Sequence, residues 1–237
     1  SPATGNALRR LGVSVLIAAA AQSSGAVLYK DATTTDLNTL ANWSTTNGAT
    51  TPDPASFGTA DQLRFNENTA ASGTFTADLS ANLSVGDITL DSGTGTGGSG
   101  TANIVINSAN GSTLTLNGSG NSTYTTAGIV LNSGTGGSLT INSNITLGAN
   151  QQWVTSRALN VNNVNLGAFT LTFNVAGSTQ TVSGVISGTG GIIKNGTATV
   201  ALVNTANTFS GTVSLQGGTT QVYLLANGGQ NSSLGSG

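Results

Sequence analysis

The chain has 237 residues, a formal net charge of −2 and only 6% charged side chains, where an ordinary globular domain has about 25%. It contains no histidine, cysteine or methionine, which excludes thiol catalysis, Ser-His-Asp catalysis and metal sites built from His or Cys ligands. No carboxylate follows Asp91, and the remaining residues carry only Arg157 and Lys194 as charged side chains. Paired-carboxylate catalysis is therefore excluded from that region, and we expect a chain that is not an enzyme and has no cofactor or metal site.

The polar composition is that of a repetitive β-protein. Gly, Thr and Asn occupy 98 of the 237 positions, while Val, Ile and Leu recur in short regular groups. Disordered chains have few β-branched residues and a high net charge, so disorder fits this sequence poorly. The only prolines are Pro2, Pro52 and Pro54, so nothing in the later sequence forbids continuous strand pairing.

The N-terminal residues 1–26 have the order of charged, apolar and small residues that is typical of a secretory signal peptide. Arg9 and Arg10 precede the apolar run from Leu11 to Ala21, and cleavage after Ala26 would follow small residues. A buried helix or membrane anchor is the alternative, but this apolar run falls well short of the roughly 20 residues that span a bilayer. We therefore expect an exported protein, and its acidic mature part excludes a basic nucleic-acid footprint.

Residues 27–75 are predicted to be a short N-terminal cap that leads into the repetitive region. They contain Trp43, Phe57 and Phe65, which are candidates for covering the end of a stacked core. Exposure of Trp43 as a platform for stacking sugars is the alternative interpretation.

An internal repeat predicts the architecture of residues 76–237. Residues 104–117 read IVINSANGSTLTLN and residues 129–142 read IVLNSGTGGSLTIN, so that Ile104 aligns with Ile129. Alternating strands of this kind have one apolar face, which is buried when successive coils stack about 4.8 Å apart. The fold class that we predict is all-β, a right-handed parallel β-helix (β-solenoid) with coils of roughly 25 residues.

Asparagines recur at the ends of the predicted strands. If the two aligned segments stack on one another, Asn107 lies on Asn132 and Asn117 on Asn142, which predicts ladders of side-chain hydrogen bonds between coils. Binding of sugars by these asparagines is the alternative.

The segment at about 190–220 contains a motif with a recognisable spacing. It begins with GGIIKNG, continues through NTFSG and ends at GGT. This pattern resembles the autotransporter-associated β-strand repeat, which is typical of bacterial passenger proteins. The motif residues are Gly190, Gly191, Lys194, Gly196, Asn207, Phe209, Gly211, Gly217 and Gly218. Two departures occur, because residues 200–203 read VALV in place of LTLS and Thr220 stands where the family has Leu.

The resemblance implies a structural passenger segment of a secreted or surface-displayed, autotransporter-like protein that aids secretion, folding and display. It implies a location outside a bacterial cell or at its outer membrane, with a translocator barrel outside the given sequence. We also expect the repeat region to be incomplete at its C-terminus. The family has no catalytic residues to transfer to this chain.

Two other classes of function stay open. An adhesin-type module could bind a cell-surface or glycan ligand through rows of Thr and Asn or through Trp43, Trp153 and Tyr124. A polysaccharide-degrading enzyme is the less favoured alternative. Its carboxylates would have to come from Asp31, Asp36, Asp53, Asp61, Glu67, Asp78, Asp87 and Asp91. Calcium binding at Asp78, Asp87 and Asp91 is a further, minor alternative.

Overall fold

The computed structural model describes residues 25–30, 35–65, 73–90, 102–120, 123–132 and 136–237. The predicted signal peptide lies outside this part of the chain except for its last two residues. Within the described ranges, no helix is long and apolar enough to cross a membrane.

The described residues form short β-strands and one turn of 3-10 helix at Leu40–Asn42. In chain order the strands are β1 (Val27–Lys30), β2 (Trp43–Ser44), β3 (Gln62–Phe65), β4 (Thr74–Asp78), β5 (Leu83–Val85), β6 (Asp87–Leu90), β7 (Asn103–Asn107), β8 (Thr113–Leu116), β9 (Ala127–Leu131), β10 (Ser138–Ile141), β11 (Asn144–Leu147), β12 (Gln151–Thr155), β13 (Ala158–Val161), β14 (Val164–Asn165), β15 (Leu171–Val175), β16 (Gln180–Val182), β17 (Ile186–Ser187), β18 (Ile192–Asn195), β19 (Thr199–Leu202), β20 (Val213–Leu215) and β21 (Thr219–Val222).

These strands form three sheets that the chain visits in turn. Sheet A has the order β2-β1-β3-β6-β9-β12-β15-β18-β20, sheet B has the order β21-β19-β16-β13-β10-β7-β4, and sheet C has the order β17-β14-β11-β8-β5. From β3 onward each strand pairs in parallel with the next strand on the same side, usually three strands later in the chain. Three successive strands, one from each sheet, therefore make one coil, and the all-β arrangement is compatible with a parallel β-helix.

The core is a set of columns in which inward side chains stack from coil to coil. Because side chains alternate along a strand, every second residue points inward and meets its register partner in the next coil. One column of sheet A consists of Leu63, Ile88, Ile129, Trp153, Phe173 and Lys194. The rings of Trp153 and Phe173 are T-shaped, with centroids 5.6 Å apart. Edge-to-face contact of two buried rings adds to the stabilisation from apolar burial.

The N-terminal strands close one end of this core. Strand β2 is antiparallel to β1, whereas β1 is parallel to β3 and so belongs to sheet A. Trp43 is fully buried, its indole N–H donates to the Leu37 carbonyl oxygen at 3.0 Å, and its ring contacts Phe57 and Phe65 edge-on. This burial rules out Trp43 as a platform for stacking sugars. The domain boundary between residues 75 and 76 stays a prediction.

The coil length predicted from the sequence needs correction. In sheet A, Leu63 pairs with Ile88 at the predicted interval, but Ile88 pairs with Ile129, which is much farther along the chain. From Trp153 onward the partners are Phe173, Lys194 and Leu215, so each later coil is shorter than predicted. The strands keep a common register while the connections between them vary in length, so no single repeat length describes the chain.

The predicted alignment of residues 104–117 with 129–142 is also wrong. Ile104 lies in sheet B and pairs with Leu139, whereas Ile129 lies in sheet A. The predicted alignment therefore matches strands that are two apart in the chain, whereas strands that stack on one another here are three apart. The error has a physical cause, because all three sides of the coil require the same alternation of apolar and polar residues.

The predicted asparagine pairs are wrong for the same reason, although asparagines of different coils do contact each other. The Asn142 side-chain amide donates to the Asn107 amide oxygen at 2.8 Å, in place of the predicted pairs Asn107 with Asn132 and Asn117 with Asn142. The Asn117 amide donates instead to the hydroxyl of Ser84, at 3.0 Å.

Asn163 provides a test of such contacts, because its side chain joins three coils. Its Nδ2 donates to Oδ1 of Asn144 at 3.0 Å, and its Oδ1 accepts from the Val185 backbone N–H at 2.8 Å. We expect Asn163→Ala to lower the free energy of unfolding by about 1 kcal/mol, since two exposed hydrogen bonds that join coils are lost. Urea denaturation followed by circular dichroism measures this loss.

The control is Asn160→Ala on the outer face of β13, where a change within about 0.5 kcal/mol is expected. Equal losses in both variants would contradict a bridging role.

Candidate functional site

The motif residues lie at two corners of the C-terminal coils. Gly190 and Gly191 precede β18, where the chain passes from sheet C to sheet A, and Gly211 lies before β20 at the equivalent place in the next coil. Gly196, Gly217 and Gly218 follow the same strands, where the chain passes from sheet A to sheet B. The remaining members of the motif are Lys194 within β18, and Asn207 and Phe209 on the side of sheet C.

At the first corner, glycine allows the backbones of successive coils to approach closely. A Cβ atom on Gly190 would lie 1.8 Å from the Phe169 carbonyl oxygen. One on Gly211 would lie 2.3 Å from the carbonyl oxygen of Gly190, one coil earlier. Both distances are far inside van der Waals contact with backbone atoms, so neither position accepts a side chain.

The second corner needs glycine for its backbone conformation as well. Gly196 and Gly218 have φ angles of +79° and +65°, a region that residues with a side chain rarely adopt. A Cβ atom on Gly196 would also lie 2.2 Å from the Val175 carbonyl oxygen.

Lys194 points into the core, and its ammonium group holds the second corner together. Its side chain is 1% exposed and follows Phe173 in the inward column of sheet A. The Nζ atom donates to the carbonyl oxygens of Asn195 at 2.7 Å, Gly196 at 3.1 Å and Gly217 at 3.0 Å. Gly217 belongs to the next coil, so the ammonium group links two coils. Burial lowers the pKa of Lys194 below its usual value.

Asn207 and Phe209 continue the side of sheet C beyond its last strand, β17. The Asn207 Oδ1 atom accepts from the Ile186 backbone N–H at 2.8 Å, and its Nδ2 atom donates to the Ser233 carbonyl oxygen at 3.0 Å. Phe209 is fully buried and extends the core. An asparagine side chain thus replaces part of the backbone ladder that a strand would supply.

The contacts of the motif residues are those of a structural element. Glycines permit close backbone approach, Lys194 and Asn207 satisfy backbone groups, and Phe209 fills the core. In the sequence after Asp91 the only other charged side chain, Arg157, is also buried and donates from Nε to the Asn132 carbonyl oxygen at 2.8 Å.

The residues that the sequence suggested for an aromatic binding surface or a calcium site do not form such a site in the described part of the chain. Trp153 is fully buried like Trp43, which removes both tryptophans from the proposed exposed aromatic surface, while Tyr124 is half-buried. Asp78 lies in sheet B and Asp87 in sheet A, while Asp91 lies outside the described residues. Among the described residues no three acidic side chains are grouped in a way that could hold a metal ion.

Sequence reasoning missed two adjoining cavities on the outer surface at the corner between sheets C and A. Their volumes are about 450 and 360 Å³, and Thr170 and Ile193 line both of them. Each volume lies in the range of about 300–1,000 Å³ that is common for ligand sites. The feature of the sequence that could have revealed these cavities is the run of small residues at this corner, where Gly190, Gly191 and Gly211 stand next to or near threonines.

A third cavity, of about 380 Å³, lies on the outer face of sheet C. Its lining includes Asn144, Asn163 and Asn165. These amides already bond within the protein, since Asn163 joins Asn144 to Val185 and Asn165 accepts from the Gly167 backbone N–H. Fewer polar groups are therefore available to a ligand there.

Comparison with known proteins gives one partial relationship. Over 74 residues the chain is 40% identical to the Adhesin BmaC autotransporter of Brucella suis biovar 1 (strain 1330). The matched segment covers 31% of this chain and 2% of the length of that adhesin. No protein-family model matches the chain. No solved structure matches it either.

Proposed function

We propose that this chain is a structural passenger segment of a secreted or surface-displayed bacterial protein of the autotransporter type. The observation that carries the proposal is the stack of parallel coils in sheets A, B and C, together with 40% identity to part of an autotransporter adhesin. A stack of this kind gains length coil by coil and presents a long surface without needing a catalytic centre.

The proposed fold is a right-handed parallel β-helix. Parallel strands of one sheet that are joined by crossover connections are right-handed in almost all proteins. The described residues support the solenoid assignment, because the register continues from β3 to β20 along sheet A. We propose that residues 190–220, which form the corners described above, are an autotransporter-associated repeat, and that its role is to keep successive coils in register during folding after export.

The proposal includes no catalytic role. The motif contacts are structural, and the only charged side chains beyond Asp91 are the buried Arg157 and Lys194. A carboxylate pair on the outer surface of the later coils is therefore impossible, which disfavours polysaccharide hydrolysis there.

The location is tested on intact cells that express the natural full-length protein. We expect external protease to digest the segment that contains residues 102–237 while a periplasmic marker protein stays intact, and an antibody against this segment to label unpermeabilised cells. Protection of the segment from protease until the outer membrane is permeabilised would contradict surface display.

A further inference from the structure

The two adjoining cavities form one groove across several coils. We call it the threonine groove, and the residues that define it are Thr126, Gln152, Thr170, Thr172, Ile193 and Thr212. They lie within or directly before β9, β12, β15, β18 and β20, which are neighbouring strands of five successive coils. The groove therefore runs along the stacking direction and crosses the strands.

The glycines of the repeat motif create part of this groove. Gly190, Gly191 and Gly211 line its C-terminal half. Since close backbone contacts exclude a Cβ atom at Gly190 and Gly211, the floor of the groove is fixed by the packing of the coils. The motif thus shapes the surface in addition to closing the corner.

Side chains, polar except for Ile193, are spaced along the groove at the distance between strands. Gln152 pairs in register with Thr172, Thr172 with Ile193, and Ile193 with Ser214. Register partners on parallel strands lie about 4.8 Å apart, so the groove offers one side chain per coil at a constant interval. Such a row suits a linear polymer with regularly repeating hydrogen-bonding groups better than it suits a compact molecule.

The described lining of the groove is uncharged, which restricts the ligand further. Within the described part of the chain no charged side chain lines either cavity, and Arg157 and Lys194 are buried with exposures of 3% and 1%. A nucleic acid or an acidic polysaccharide would meet no cation to balance its charge. The Gln152 amide donates to the Thr126 hydroxyl at 3.4 Å. The hydroxyls of Thr170, Thr172 and Thr212 can donate and accept hydrogen bonds, and Ile193 offers an apolar surface beside them.

The backbone of the sheet is not available to a peptide at this place. Extended peptides are usually captured by a free sheet edge, through backbone hydrogen bonds. The groove instead crosses the outer face of β12, β15 and β18, which all have paired neighbours on both sides. A polymer of hydroxyl groups and C–H faces suits this surface better.

We propose that the threonine groove binds a linear, uncharged polysaccharide along the axis of the stack. Hydroxyls of the sugar chain would bond to Thr170, Thr172 and Thr212, and a C–H face would lie on Ile193. This inference rests on the proposed function, because a displayed segment meets polysaccharides outside the cell, and it gives that segment a binding role.

The test uses the purified chain and a matched pair of variants. Thr172 and Thr140 are both half-buried threonines between two buried residues, but Thr172 lies in the groove and Thr140 on the outer face of sheet B. Soluble β-glucan, mannan and galactan serve as neutral probes, and heparin as an acidic one, in affinity electrophoresis and titration calorimetry. We expect binding of at least one neutral polymer, a loss of at least tenfold in affinity for Thr172→Trp, and affinity within about twofold of the unmodified chain for Thr140→Trp.

Circular dichroism and thermal unfolding verify that each variant is folded. If Thr172→Trp does not fold, Ser214→Trp blocks the same groove from β20. Three results would overturn the proposal: no binding of any neutral polymer, equal affinity losses for the groove and control variants, or binding of heparin alone. The assay is independent of the cell-surface protease experiment, so failure of the binding proposal is distinguishable from failure of the display proposal.

Discussion

Gly190→Ala is expected to lower the free energy of unfolding of the C-terminal coils by at least about 3 kcal/mol. The new Cβ atom would lie 1.8 Å from the Phe169 carbonyl oxygen and 2.9 Å from the Phe169 backbone nitrogen. Both are backbone atoms of the preceding coil, so no change of rotamer can relieve the clash. The coils must separate at this corner, which weakens the pairing of β15 with β18.

Urea denaturation followed by far-ultraviolet circular dichroism measures the loss, and hydrogen exchange locates it. We expect faster exchange in β15 and β18 and little change in β1 and β3, because each coil contacts mainly its neighbours. Gly228→Ala is the control, since its Cβ atom would have only one neighbour, the Gly237 carbonyl oxygen at 3.7 Å. Its stability should stay within about 0.5 kcal/mol of the unmodified chain. A Gly190→Ala variant as stable as this control would disprove the close approach of the coils.

The sequence predicted the class of secondary structure because apolar and polar residues alternate on short strands. In β8, for example, Leu114 and Leu116 are buried and the two threonines are half-buried, as alternation requires. It did not reveal which of three sheets a strand joins, since that choice depends on the lengths of connections between strands. Ile104 and Ile129 have similar neighbours in sequence, yet they lie in sheets B and A.

The motif at residues 190–220 could be found from its spacing, but its contacts could not. Nothing in the sequence shows that Lys194 points inward, because lysine usually lies at the surface. Its burial follows from register, which places Lys194 directly after Phe173 in the inward column of sheet A. The threonine groove was also hidden, since it combines residues of five coils that become neighbours only after stacking.

Lys194→Met is expected to lower the free energy of unfolding by about 2 kcal/mol at pH 7. Methionine fills a similar volume but leaves the carbonyl oxygens of Asn195, Gly196 and Gly217 without the ammonium donor. Hydrogen bonds from a charged group contribute about 1.5–3 kcal/mol each, and the cost of burying the ammonium group offsets part of that gain. Urea denaturation measures the change, with Ile193→Met on the same strand as the control. An unchanged stability of Lys194→Met would show that the ammonium group does not hold the corner.

The pH dependence of the same variant tests the burial of the charge. Because burial lowers the pKa of Lys194 below its usual 10.5, the folded protein releases this proton at a lower pH than the unfolded chain does. The unfolded state therefore binds more protons between the lowered pKa and 10.5, and stability rises with pH across that window. Lys194→Met lacks this contribution, so the stability difference between the unmodified chain and the variant should widen as pH rises from 7 toward 10.5. Taking the difference cancels the contributions that are common to both proteins. A difference that narrows with rising pH would mean that the carbonyl oxygens raise the pKa of Lys194 more than burial lowers it, and that the charged form is the better fit to the corner.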